Sequence, residues 1–408
     1  MKTKLLISTA FLILTVVFNQ TNAQIPSTAG FHHLTMVHDS VARNFLVVVP
    51  NSYNASIDAP LMFCFHGGTQ NIQSFVYSQI DSINWMGREE LWEKADSNGI
   101  VLVFPEALVN NISGTTLWND KDLFPQDSSP YDDLGFVLHL IDTLVQDLSI
   151  DTSRIYGAGF SNGGDFTHLI GSQLPCKFAA LTVVAGRTAN QVSQIDTTLL
   201  YYPTPSVPVS MMIVRGKQDP EVVYFGGLNN NGTNTTSFFD DMNFWLNGNN
   251  CNNGLWTSSN IGDTVEIRNY YQCSLSTHLK VVSLKFMDHK WPDANDNFYW
   301  NANTEIIDFC LQFTNVCAAT GITEIGNSNE YLLFPNPFSE QTTLQSDRHL
   351  KNVTLTLYNY TGQIVKQLNS ISGQIITLYR DKLPSGLYFI RISEDNKIIA
   401  TKKLIIQD

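Results

Sequence analysis

The sequence predicts an α/β body, a mostly parallel sheet flanked by helices, followed by a small all-β sandwich domain. Three observations carry this. From residue 44 to 313 short apolar runs alternate with segments of helical spacing, as strands joined by covering helices do. The pentapeptide Gly159-Phe160-Ser161-Asn162-Gly163 lies between an apolar run and a helical one. After residue 331 helical spacing stops, and short strand-like runs alternate with turn residues such as Pro384-Ser385-Gly386.

The 408 residues carry a net charge of −13, which argues against nucleic acid or an anionic membrane as partner. The charge is uneven. Residues 331–408 hold nine Lys/Arg against six Asp/Glu, a net of +3, which leaves −16 for the rest. Residues 1–23 read as a signal peptide: Lys2 and Lys4, then the apolar run Leu5 to Phe18, then Thr21-Asn22-Ala23 before the expected cleavage. An exported chain can form disulfides. Cys251 and Cys273 bracket a polar, Asn-rich loop and are expected to pair. Cys310 and Cys317 are expected to form a second, local bridge, with Cys64 a free core thiol. No cysteine spacing suits zinc.

In chain order, strands are predicted over Phe45–Val49, Pro60–Phe65, Ile100–Phe104, Ile155–Ala158, Ala180–Ala185, Val209–Val214 and Val281–Phe286. Helices are predicted over Arg88–Ala95, from Asp132 and Asp133 to Leu148, from Asn162 to Pro175, over Ser237–Leu246 and over Thr304–Phe313. In the second helix Phe136, Val137, Leu140, Ile141, Leu144 and Leu148 form the buried stripe. The body is expected to span residues 24–313 and a packing-free linker residues 314–330. Residues 331–408 should be a β-sandwich of six short strands, beginning near Thr342 and ending at Ile406.

A serine in a sharp strand-to-helix turn is lifted out of the sheet, with glycine two residues either side where side chains would collide. Ser161 is therefore a candidate nucleophile. Its partners should follow in chain order, acid then histidine. Asp219 leaves the end of the Val209–Val214 strand in Arg215-Gly216-Lys217-Gln218-Asp219-Pro220, whereas Asp240 and Asp241 lie on a predicted helix. His289 follows the last strand of the body. His278 precedes that strand, His349 lies in the tail, and His32, His33, His38, His139 and His168 precede the acid. Charge developing on a carbonyl oxygen needs preset N–H donors. The backbone N–H of Asn162 is one candidate, and Gly68 or Thr69 in the loop His66-Gly67-Gly68-Thr69 supplies the other.

Together these residues resemble the secreted poly(3-hydroxybutyrate) depolymerase and feruloyl esterase family of α/β-hydrolases, of the carbohydrate esterase family 1 type. The likeness covers about residues 30–315. It rests on Phe63 to Gly68, Asp132 to Phe136, Gly159 to Gly164, Arg215-Gly216 with Asp219, and His289-Lys290-Trp291-Pro292. It implies the α/β-hydrolase fold and a serine esterase working through an acyl-enzyme without a cofactor. Aryl or polymer-linked esters, such as feruloyl and acetyl esters of plant polysaccharide, are the implied substrates, with poly(3-hydroxybutyrate) as the alternative. Trp118 and Trp291 are candidate substrate contacts. The family pattern has Gly where this chain has Asp288, whose carboxylate would raise the pKa of His289 if it faced the ring. A peptidase of the same fold and an inactive carbohydrate-binding surface protein are rival readings.

The tail resembles the C-terminal sorting domain of type IX secretion cargo. The resemblance rests on Phe334-Pro335-Asn336-Pro337, Leu357-Tyr358-Asn359 with Thr361-Gly362, Leu383 to Tyr388, and Lys402-Lys403-Leu404-Ile405. It implies a Gram-negative bacterial source, secretion machinery as a partner and an extracellular or cell-surface destination. The chain is expected to act as a monomer.

Overall fold

The computed structural model describes residues 24–407 except 77–88, 111–112, 121–130, 192–197, 252–254, 294–295, 297–299, 318–330, 337, 360–362 and 395–396. The expected signal peptide and most of the expected linker lie outside the described residues, as do Pro337 and Thr361-Gly362 of the tail motifs. The chain divides into two compact units, residues 1–321 and 322–408.

The first half of the body runs β1 (Gly30–His38), β2 (Val41–Val49), β3 (Ala59–Phe65), α1 (Ile72–Val76), α2 (Glu89–Ser97), β4 (Val101–Pro105), α3 (Asp133–Asp147), β5 (Ile150–Phe160), α4 (Asn162–Gln173) and β6 (Ala180–Val184). The second half runs β7 (Ala189–Gln191), β8 (Leu199–Tyr201), β9 (Ser210–Gly216), β10 (Gly227–Leu228), β11 (Asn234–Thr235), α5 (Phe238–Gly248), β12 (Thr257–Ile261), β13 (Val265–Tyr270), β14 (Leu279–Leu284) and α6 (Ala302–Cys310). Ten strands form one sheet in the order β1-β2-β4-β3-β5-β6-β9-β14-β13-β12. The six from β4 to β14 are parallel, with antiparallel strands added at both edges. This is the predicted α/β-hydrolase architecture.

The central strands are buried on both faces, so alternate residues feed two cores. Leu61, Phe63, Phe65, Met211 and Ile213 pack with the apolar stripes of α3, α4 and α5. Met62, Cys64, Met212 and Val214 pack with α2 and α6 on the opposite face. The predicted α3 stripe is buried, and Asp132 caps that helix by accepting the Gly135 N–H. Ser237 and Asp240 form a reciprocal capping box at α5. That occupies Asp240 structurally.

Three expectations change. The bracketed loop 251–273 contains the hairpin β12–β13, in which Val265, Ile267 and Tyr270 are the buried side chains. Cys251 and Cys273 do pair, but the local Cys310–Cys317 bridge does not form: Cys317 pairs with Cys176, and Cys310 and Cys64 are buried thiols outside either disulfide. α6 buries Cys310 in the core, which keeps it out of reach. The start of the expected linker, residues 314–317, packs on the body. Asn315 donates from its backbone N–H to Ser153 O (2.7 Å) and from Nδ2 to Cys176 O (2.5 Å).

The tail contains β15 (Tyr331–Phe334), β16 (Gln341–Asn359), β17 (Ile364–Tyr379), β18 (Gly386–Glu394) and β19 (Lys397–Ile406), all antiparallel. The expected run of short strands is joined here. β16 is long enough to pair with β15, β17 and β18 in turn, with bulges between. Leu344, Leu355, Ile390, Ile392 and Leu404 lie in a core of the tail's own.

The bridge from Cys176 to Cys317 spans 141 residues of sequence. Cys176→Ser with Cys317→Ser should lower stability by roughly 2–5 kcal/mol in guanidinium unfolding. A chain ending at residue 321 should unfold with the body's full stability, and one ending at Thr314, which also loses the Asn315 hydrogen bonds, should be less stable than the double variant.

Candidate active site

The parallel strands bring their C-terminal ends to one edge of the sheet, and the candidate residues lie on the loops leaving it. β5 passes into α4 at Ser161, whose backbone is held at φ 53°, ψ −122°. The glycines on either side are sterically obligatory. A Cβ on Gly159 would lie 2.0 Å from Gly163 O, and one on Gly163 would lie 2.4 Å from Phe65 O and His66 O. The Ser161 N–H donates to Val184 O (2.9 Å), tying the turn to the neighbouring strand. Asp165, in the first turn of α4, is buried and accepts from the backbone and guanidinium of Arg187, which follows β6.

Asp219 follows β9 and its side chain is fully buried. Its Oδ1 accepts the N–H groups of Glu221 and Val222, both at 2.8 Å. His289 follows β14, with Nδ1 2.9 Å from Asp219 Oδ2 and Nε2 2.8 Å from Ser161 Oγ. A carboxylate only accepts, so Nδ1 carries the proton and Nε2 is free to accept from the hydroxyl. Phe160 packs against the imidazole, with ring centroids 5.1 Å apart. The structure thus brings Ser161, His289 and Asp219 into one hydrogen-bonded chain. Asp288 is exposed and its side chain makes no hydrogen bond to His289.

The acid loop is fixed from beneath. Arg215 is wholly buried, and its guanidinium donates to Gly186 O and to Asp241. Asp241 also accepts from the Thr188 N–H (2.9 Å) and from the hydroxyls of Thr188 (2.6 Å) and Thr236 (2.7 Å). With its charge paired and its oxygens satisfied, Asp241 is a structural anion.

The loop after β3 lies beside the serine. A Cβ on Gly67 would lie 3.3 Å from Ser161 Cβ, and one on Gly68 would lie 3.6 Å from Asn162 Cβ. The Gly68 N–H makes no hydrogen bond among the described residues, and the Asn162 N–H stands at the first position of α4, where a helix supplies no acceptor. Thr69 differs. Its backbone turns to φ 65° and its N–H donates to Thr116 O (2.8 Å), so of the two expected donors Gly68 is the open one.

His66 fastens this loop. Its Nδ1 donates to Gly67 O (2.8 Å) and its Nε2 accepts the Ala107 N–H (3.0 Å). Burial lowers its pKa to about 4, so it is neutral near pH 7. Trp118 donates from Nε1 to His66 O (2.9 Å), and its own backbone is held by the Asn162 side chain (2.8 Å). Gln70 Oε1 accepts the Gly67 N–H (2.8 Å). The sequence reading overlooked these supports. A polar side chain flanking the glycine loop was the available signal.

The two tryptophans do not face a substrate. Trp118 is 1% exposed and stacks on Phe166, while Trp291 is 6% exposed and donates to Asn303 Oδ1 (2.9 Å). Each indole N–H already has an acceptor inside the protein, the arrangement of a core residue.

Residues 332–407 match the secretion system C-terminal sorting domain family. The body is similar to esterases. It is 28% identical over 183 residues to a bifunctional acetylxylan esterase/xylanase of Neocallimastix patriciarum, covering 45% of this chain and 22% of that one. It is 26% identical over 191 residues to feruloyl esterase B of Piromyces equi, covering 46% and 31%. It is 30% identical over 129 residues to a poly(3-hydroxybutyrate) depolymerase of Ralstonia pickettii, covering 31% and 25%. The chain therefore spans a third or less of the length of these relatives. Both resemblances read from the sequence hold.

Three histidines, His66, His168 and His278, are each lowered to about 4 by burial. Unfolded, they return to about 6.5. Between these values the unfolded chain binds more protons, so stability is whole above pH 6.5 and is lost as pH falls toward 4. Urea unfolding at pH 7 and pH 5 should show a drop of about 1 kcal/mol per pH unit from each of His66 and His168, with a contribution of the same sign from His278.

Proposed function

We propose that the body is a serine carboxylic ester hydrolase. The observation that carries this reading is the chain from Ser161 Oγ through His289 to Asp219, set beside two open N–H groups. Ser161 Oγ attacks the ester carbonyl carbon while His289 Nε2 takes the hydroxyl proton. The carbonyl oxygen becomes an oxyanion, which the N–H groups of Gly68 and Asn162 stabilise. The intermediate collapses, the alcohol leaves with the proton from His289, and an acyl-Ser161 ester remains. Water then attacks that ester with His289 again accepting a proton, and His289 returns the proton to Ser161 Oγ as the acyl–oxygen bond breaks and the acid is released. Asp219 keeps the imidazole in the required tautomer and stabilises its charged form.

Feruloyl or acetyl esters on plant polysaccharide are the proposed substrates. Support comes from the acetylxylan and feruloyl esterases among the relatives. The depolymerase relative keeps poly(3-hydroxybutyrate) as the competing polymer. The tail is proposed to direct export through type IX secretion machinery. Support comes from the sorting-domain match and from two disulfides that suit an oxidising destination.

Ser161→Ala should lower kcat/KM on p-nitrophenyl acetate by more than about a thousandfold with folding intact, and Asp219→Asn should lower kcat by about ten-thousandfold. Ser161→Ala activity within tenfold of the original protein overturns the reading. Ethyl ferulate, acetylated xylan and hydroxybutyrate oligomers, compared by kcat/KM, rank the acyl classes. Asp288→Gly should leave kcat/KM on p-nitrophenyl acetate within about twofold of the original protein, because the Asp288 side chain is exposed and makes no hydrogen bond to His289.

A further inference from the structure

A cavity of about 260 Å³ runs along one face of the hairpin β12–β13, from its turn at residues 262–264, beside the ends of β9 and β14 at the active-site edge, to Trp256 at the start of β12. Two strand ends link it to the chemistry. Lys217 lines the cavity two residues before Asp219, and Lys285 lines it four residues before His289. The backbone joins them: the Lys217 N–H donates to Leu284 O, and the Lys285 N–H donates to Thr264 O.

The lining is polar and electrically balanced. Lys217 faces Glu266 (3.5 Å) and Lys285 faces Asp263 (3.4 Å), so each lining cation has a lining anion. Ser258, Asn260 and Ser283 add hydroxyl and amide groups. Ser258 and Asn260 lie opposite Arg268 and Glu266 in the hairpin, which puts these four side chains on one face of it. Trp256 stands at the start of β12 with 45% of its surface exposed. The Arg268 guanidinium sits 5.3 Å from its ring and is itself held by Glu266 Oε1 (2.5 and 2.8 Å). One ring face is thus backed by a fixed cation, and the exposure leaves indole surface open to solvent.

The four lining charges sum to zero, and the one further cation, Arg268, shares Glu266 with Lys217 and is turned onto the Trp256 ring, so the lining presents no concentration of charge of one sign. A flat apolar ring beside hydroxyl, amide and carboxylate groups suits a ligand with an apolar face and hydroxyls around its rim. We propose that this cavity is a binding site for a neutral sugar chain. It holds unsubstituted residues of the polysaccharide whose ester is presented to Ser161. The inference rests on the ester-hydrolase reading for its role in turnover, but the binding itself does not depend on it.

The test separates the two. In calorimetry, Ser161→Ala protein should bind at least one of the neutral probes xylohexaose, cellohexaose and maltohexaose, and Ser161→Ala with Trp256→Ala should bind it at least about tenfold more weakly, the loss of one stacking contact. On acetylated xylan, Trp256→Ala in the active enzyme should raise KM by a similar factor with kcat unchanged. On p-nitrophenyl acetate, kcat/KM should be unaltered, which also shows that the variant is folded. Trp256→Phe, which keeps an aromatic face, should recover most of the binding. If none of the probes binds, or if binding survives Trp256→Ala, the site is overturned. Trp256-dependent binding in a protein that hydrolyses no ester upholds the sugar site and overturns the ester-hydrolase reading alone.

Discussion

The close approach of Gly159 to Gly163 is the constraint on which the site depends. With hydrogen in place of Cβ at both positions, β5 reverses into α4 within one residue. Ser161 takes up that reversal in a left-handed backbone, a conformation costing about 1–3 kcal/mol for a residue with a side chain. The cost is met locally, by the Ser161 N–H on Val184 O and by an α4 whose residues from Gly163 to Ser172 are all buried. Because Gly163 rests on Phe65 O and His66 O, the same contact sets the height of the neighbouring glycine loop. Nucleophile and oxyanion donors are therefore one packing unit.

Around it the polar groups are arranged in closed pairs. Asp165 with Arg187 joins the loop that follows β6 to helix α4, and Asp241 with Arg215 joins the end of β9 to helix α5. Replacing one partner alone would leave an uncompensated buried charge. Such pairs contribute little net stability, but they fix the direction in which the Asp219 loop leaves the sheet.

Much of this was legible in the sequence, for a topological reason. A parallel sheet presents the C-terminal ends of its strands at one edge, so a serine, an acid and a histidine that each follow a strand are brought together whatever their separation in sequence. Ser161, Asp219 and His289 needed no further information to be named as candidates. What the sequence concealed depends on directions within the fold. Thr69 was an equal candidate with Gly68 until its φ of 65° turned its N–H toward Thr116 O. Trp118 and Trp291 stand in sequence beside the loops of the site, and an aromatic reads the same whether it faces solvent or the core. The β12–β13 hairpin hid in a polar stretch because it buries only three side chains, Val265, Ile267 and Tyr270, all on β13. Cys317 found Cys176 across the whole body, a pairing that sequence distance does not suggest.

That last bridge has a mechanical side. Cys317 and Asn315 fasten the chain to Cys176 and Ser153 at the point where the body ends and the tail has yet to begin. A pull applied to the tail, by a transporter or by attachment at a surface, arrives first at a covalent anchor. α6 lies upstream of that anchor and is shielded from the tension, so the last helix does not peel away from the sheet. The anchor closes only where thiols oxidise. Before that the end of the body is held by hydrogen bonds alone, and afterwards it is a tether point.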